Sequence, residues 1–144
     1  NQNGDSDFLQ RFAIRTHGAF DQGSAMRMSR EHQNPLVASI IDGIGTQTRP
    51  YSATSFSFVN ISDPNVMLWS LKPAEDGISR GIVARVWNQS VSPLTYSLGL
   101  SMPISSADKL THIETFTSNA ATSGGTLVAP INQQQIQTHL LRIK

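Results

Sequence analysis

The sequence predicts an all-β domain, an antiparallel β-sandwich, with one short helix near residues 24–32. Three observations carry that expectation. Leu94, Tyr96, Leu98, Leu100 and Met102 alternate with Thr95, Ser97, Gly99 and Ser101, the period-two pattern of a strand with one buried face. Short β-branched or aromatic segments recur along the chain, separated by clusters of Pro, Gly, Asn, Asp and Ser. Internal repeats and low-complexity stretches are absent from the sequence.

The elements follow in order. Residues 8–15 place Phe8, Phe12 and Ile14 on one parity, which suits a strand. Residues 24–32 read as a helix capped by Ser24, and Asn34-Pro35 ends it because a residue before proline is pushed out of the α region. Residues 36–41 then form a short apolar strand. Residues 55–61 and 65–72 are expected to be neighbouring strands across the Ser62-Asp63-Pro64 turn, where the aspartate bonds local backbone and the proline fixes φ. A polar turn over 73–77 leads to a strand over 81–88, and a further turn leads to the strand that starts at Leu94. Residues 109–117 alternate less cleanly, 118–125 read as a small polar loop, and 136–143 supply a terminal strand with Leu140, Leu141 and Ile143.

A chain of 144 residues, 38% of them apolar, fits a single domain over 1–144, expected to be part of a larger protein. Eleven Lys and Arg against ten Asp and Glu give a net charge of +1 without a basic run, which argues against a nucleic-acid partner. No apolar stretch is long enough for a membrane span, and the polar start has neither a basic nor an apolar leader region, so the chain is expected to be soluble, with its compartment open. The lack of Cys excludes disulfides and thiolate metal sites but does not fix the redox compartment. A beginning such as Asn1-Gln2-Asn3-Gly4, without an initiator Met, reads as a processed end or the edge of a larger chain.

Catalytic constellations are not apparent. His17, His32, His112 and His139 are scattered, and none has the spacing of a metal site. Glycoside hydrolysis requires two carboxylates flanking the scissile bond, and Glu75 and Asp76 are adjacent acids in a Pro-Ala-Glu-Asp-Gly turn, where side chains diverge and acids are ordinarily solvated. Arg85 shares a parity with Val83 and Trp87, so its guanidinium lies between an aliphatic and an aromatic side chain on one sheet face and needs a partner. An ion pair with Glu75, Asp76 or Glu114 is the favoured account, ahead of direct sugar contact. Trp69 and Trp87 sit in apolar strands and are expected in the core.

The run Leu71-Lys72-Pro73-Ala74-Glu75-Asp76-Gly77, followed by Gly81-Ile82-Val83-Ala84-Arg85-Val86-Trp87-Asn88, resembles the C-terminal β domain of glycoside hydrolase family 38 α-mannosidases, with its "LKxAEDG" turn and "GxIVRLYN"-like strand. Thr16-His17-Gly18, Asn34-Pro35-Leu36, Ala107 with Glu114, and Gln135-Ile136-Gln137-Thr138 are similar, in order, to further segments of that domain. Thr16, Gln133 and Gln135 depart from its pattern. The resemblance implies a sandwich of the galactose-mutarotase-like supersandwich type. It further implies a chain without catalytic or metal-ligating residues of its own, packed against the catalytic domain of the same parent, a retaining α-mannosidase. The catalytic carboxylate and a divalent metal, zinc or calcium, would belong to that other domain, with a mannoside as substrate. His17, Arg85, Glu75 and Asp76 are the residues it brings forward for the substrate rim or the inter-domain contact. The alternative expectations are an autonomous carbohydrate-binding module and a structural domain that forms homo-oligomers.

Overall fold

A computed structural model describes residues 10–39 and 54–144. Contacts divide the chain into two units, Asn1–Ile40 and Ile41–Lys144.

The first unit contains helix α1, Gln22–Gln33. The helix begins two residues before the expected start because Asp21, not Ser24, caps it: the Asp21 carboxylate accepts from the backbone N–H groups of Gly23 and Ser24 at 3.3 and 3.1 Å. Arg30 and His32 occupy the last turn, where a cation suits the negative end of the helix dipole. Asn34 closes the helix with both its backbone and side-chain N–H groups on the Arg30 carbonyl, and Pro35 follows. The strands expected over 8–15 and 36–41 do not form where the structure describes them. Residues 10–15 and 36–39 are irregular, with Phe12, Ile14, Leu36 and Val37 almost wholly exposed. Alternation specifies which face a strand would bury, but a strand exists only when a neighbour takes up its backbone groups. Residues 8, 9, 40 and 41 of those two expectations lie outside the described residues.

The second unit is all-β and antiparallel, in two sheets, as the sequence predicts. One sheet has four strands in the order β1-β4-β8-β7: β1 is Val59–Ile61, β4 Leu94–Leu100, β7 Thr122–Ser123 and β8 Thr126–Ile131. The other has five in the order β2-β3-β9-β5-β6: β2 is Val66–Pro73, β3 Ile82–Asn88, β5 Ile104–Leu110, β6 Phe116–Ala120 and β9 Ile136–Ile143. Strand β9 is thus the middle of its sheet, paired with β3 on one side and β5 on the other.

The turn between β1 and β2 forms as expected, with Asp63 Oδ1 accepting from Asn65 N at 2.8 Å, but the strands it joins are not the expected neighbours. Only 59–61 of the expected 55–61 is strand, β1 pairs with β4, and β2 pairs with β3 in the other sheet, so the turn carries the chain from one sheet to the other. Further elements also differ from expectation. Residues 104–110 are a strand although Ser105, Ser106 and Asp108 are polar, because Ile104 and Ala107 turn inward and Asp108 pairs with Arg142 of β9 at 2.6 Å. The segment read as a loop over 118–125 carries the end of β6 and all of β7, and β8 had no counterpart in the sequence reading.

The core lies between the sheets. Tyr96 and Leu98 of β4 and Leu127, Ala129 and Ile131 of β8 face Ala84 and Val86 of β3, Ala107 of β5 and Leu141 of β9. Each of the large apolar side chains sealed there contributes about 1.5–3 kcal/mol. Alternation then puts Val83, Arg85 and Trp87 of β3 on the outer face of the five-stranded sheet, where Val83, Leu110 and Leu140 form a second, smaller cluster with Ala74. Gly81 sets the entry to β3: its φ is +129°, and a Cβ there would stand 2.5 Å from the Leu141 carbonyl oxygen.

Candidate functional site

Arg85 sits on that outer face, as its parity predicts, but its partners are neutral. Thr138 is directly opposite it in the β3–β9 register, and Arg85 Nε donates to Thr138 Oγ1 at 3.1 Å. A terminal nitrogen donates to the backbone carbonyl of His112 at 2.7 Å. Among the described residues no carboxylate lies within ion-pair distance of the guanidinium, so the expected ion pair with Glu75, Asp76 or Glu114 is not made. Glu114 nonetheless lies near enough for the Arg85 charge to favour its ionised form. The head group is held in one orientation by two acceptors from different elements, which is how a planar guanidinium is pre-positioned.

Glu75 and Asp76 lie at one end of the same face. Ala74, Val83, Leu110 and Leu140 make the apolar floor of a cleft of about 280 Å³, and Glu75, Asp76, Arg80, Ile113 and Glu114 form its walls. Glu114 organises this end. It takes a left-handed backbone conformation, φ 64°, its carboxylate pairs with Lys72, and it also accepts from the Glu75 backbone N–H at 3.1 Å. The Lys72 hydrogen bond is the main cause that holds the Glu114 carboxyl below its ordinary range, and the Glu75 N–H adds to it. Lys72 also bonds Glu75 at 2.8 Å, and the two carboxylates raise its pKa. Glu75 and Asp76 are exposed.

Trp69 and Trp87 are not in the core between the sheets. A register shift between Leu68 and Ser70 brings Trp69 onto the outer face, where its ring meets Trp87 edge-on, with centroids 5.4 Å apart and planes at 82°. Trp69 is 37% exposed and Trp87 is half-buried. The outer face therefore reads, from one end to the other, as an indole pair, a fixed guanidinium and an apolar cleft with charged walls.

His17 belongs to the first unit. It lines a cleft of about 310 Å³ with Arg15, Phe20, Asp21, Ser24 and Met28, its ring 6.3 Å from Phe20 and its Nδ1 3.0 Å from the Gly18 carbonyl. Hydrogen bonds from the Ser24 side chain and backbone hold the Asp21 carboxyl below its usual value.

The sequence reading did not find the polar group inside the sandwich. His139 is sealed between the sheets, with Nε2 3.2 Å from Gln137 Oε1 and its ring 6.4 Å from the ring of Tyr96. Burial drives its pKa down to about 4, aided by the Lys109 charge, and burial also pushes the Tyr96 phenol up. Parity from Leu141, two residues on, is the signal that would have placed His139 inward.

Among the described residues no group of three or more His, Asp or Glu is arranged to hold a metal ion, and no helix is long and apolar enough to cross a membrane.

No protein-family model matches this chain, and no curated protein matches it.

Proposed function

We propose that the chain is an accessory β-sandwich domain that docks through the outer face of its five-stranded sheet. Following the resemblance at 71–88, the partner is the catalytic domain of an α-mannosidase-like glycoside hydrolase, which supplies the nucleophile and the divalent metal. One observation carries the reading: Arg85 is held by Thr138 and His112 in a fixed orientation, half-buried, beside Trp87 and without an anionic partner of its own among the described residues. A sheet that needed only to be solvated gains little from a restrained guanidinium next to two indoles, whereas a docking face uses such groups as anchors. The apolar cleft beside Glu75 and Asp76 extends the face.

The reading predicts that the purified chain does not hydrolyse α-mannosides and that the coding sequence upstream of Asn1 encodes a domain with an acidic nucleophile and His/Asp metal ligands. Co-expressed with that domain, the chain forms a complex that Arg85→Glu weakens at least tenfold. Turnover by the isolated chain, or a complex indifferent to Arg85→Glu, refutes it. An autonomous carbohydrate-binding module is the second reading, favoured by the partly exposed Trp69, and glycan binding by the isolated chain that Trp69→Ala abolishes would decide for it.

A further inference from the structure

We propose that Asn60 is an N-glycan acceptor in the folded, secreted chain and that Asn88, which carries the same three-residue signal, is unmodified in it. The sequence holds two Asn-X-Ser triplets without proline at X, Asn60-Ile61-Ser62 and Asn88-Gln89-Ser90. Their chemistry is equal, and their places in the fold are opposite. Asn60 is the middle residue of β1, where Val59 and Ile61 pack toward the core and Asn60 is exposed. Its cross-strand neighbour on β4 is Gly99, which presents no side chain to crowd a sugar. Asn88 is completely buried. Its Nδ2 donates to the Ser92 and Asn132 carbonyls at 3.0 and 2.9 Å, and its Oδ1 accepts from Ser90 N at 2.8 Å. Every function of that amide is spent on holding the β3–β4 turn against the segment before β9.

The reaction is group transfer from an oligosaccharide carried on a lipid pyrophosphate. A bond forms between Asn Nδ2 and the anomeric carbon, the bond from that carbon to the pyrophosphate oxygen breaks, the lipid pyrophosphate leaves and Nδ2 gives up one proton. At Asn60 the product is compatible with the finished sandwich. At Asn88 it removes a donor from a buried amide and inserts a bulky group at a sealed position, so a chain modified there does not complete the fold.

A glycan at Asn60 stands on the edge strand of the four-stranded sheet. Edge strands offer unpaired backbone groups to other chains, and a hydrophilic branched group beside one blocks that pairing. The site is on the sheet opposite the docking face and does not depend on the docking proposal.

The test is to route the full chain through the secretory pathway of a eukaryotic cell and to map glycopeptides from the secreted and the retained pools before and after peptide-N-glycosidase treatment. Asn60 is expected to be occupied in both pools, and Asn88 to be unmodified in the secreted one. Asn60→Gln and Ser62→Ala are expected to remove the glycan, and Ser62→Thr to keep it. An unmodified Asn60 in both pools, or a secreted, folded chain carrying a glycan on Asn88, overturns the proposal. Because occupancy is read on the wild-type chain, the outcome stands even if a variant fails to fold.

Discussion

Lowering the pH toward 5 places a proton demand on a side chain that the fold keeps neutral. His139 is enclosed between the sheets by Tyr96 and Gln137, with the Lys109 charge near it and the Asp108 backbone as the one influence favouring its proton. Its pKa falls from 6.5 to about 4 on folding, so as the pH drops the unfolded chain takes up the proton first. The contribution of His139 to stability is therefore intact above about 6.5, declines as the pH falls toward 4, and levels off once the folded imidazole is also protonated. Fully developed, the loss is about 3 kcal/mol, and about 2 kcal/mol of it is felt by pH 5. Equilibrium urea unfolding of wild type and His139→Gln at about pH 7.5 and about pH 5 measures it. The wild type should lose about 2 kcal/mol more than the variant over that interval. Carboxylates such as Glu114, whose stabilisation disappears only below its ordinary range, remain in both proteins and cancel in the comparison. Equal losses in the two proteins refute the reasoning. So does an imidazole titration by NMR in folded wild type centred near 6.5, a readout that does not need the variant to fold.

Other expectations follow from single contacts. Gly81→Ala places a methyl against the Leu141 carbonyl at a positive φ and should cost more than about 3 kcal/mol in denaturant unfolding, whereas a change under about 1 kcal/mol contradicts the geometry of the β3–β9 entry. Arg85→Met keeps an aliphatic stem on the sheet but loses the bonds to Thr138 and His112. It should cost about 1–3 kcal/mol by the same measurement. The Tyr96 hydroxyl is buried without a hydrogen-bond partner among the described residues, so Tyr96→Phe should leave stability within about 1 kcal/mol of wild type or raise it, and a loss above about 2 kcal/mol would reveal a partner.

The sequence was legible where one residue pattern answered to one physical demand. Strand β9 matches its expected bounds because Ile136 to Ile143 is rich in β-branched and aliphatic residues, and β4 follows from clean alternation. Strand β5 was hidden because its solvent-side positions are Ser and its Asp108 is satisfied by an arginine far along the chain, a pairing that local pattern does not reveal. Strand β6 is an exposed edge with nothing to bury on most of its length, so it carries no hydrophobic signature. The opposite error occurred at 10–15 and 36–39, where apolar parity is present and pairing is not. At the site, parity placed Arg85 on the correct face beside Val83 and Trp87. The partners were missed because Thr138 comes from a strand fifty-three residues away in sequence and His112 contributes only its backbone. The tryptophans were misassigned because their size suggested the core: Trp87 is outward by the same parity as Arg85, and Trp69 sits at the bulge between Leu68 and Ser70, where it meets Trp87 on that face.

The central position of β9 also sets a timetable for synthesis. Strands β3 and β5 each need β9 between them, so a ribosome that has delivered everything up to Leu110 has produced two strands whose shared neighbour has not yet emerged. The β2–β3 and β5–β6 pairs can be joined into one sheet, and Arg85 can reach Thr138, only after residue 143 has cleared the exit tunnel. Until then each has one edge that β9 will cover still unpaired, and a delay in elongation past residue 110 lengthens that exposure.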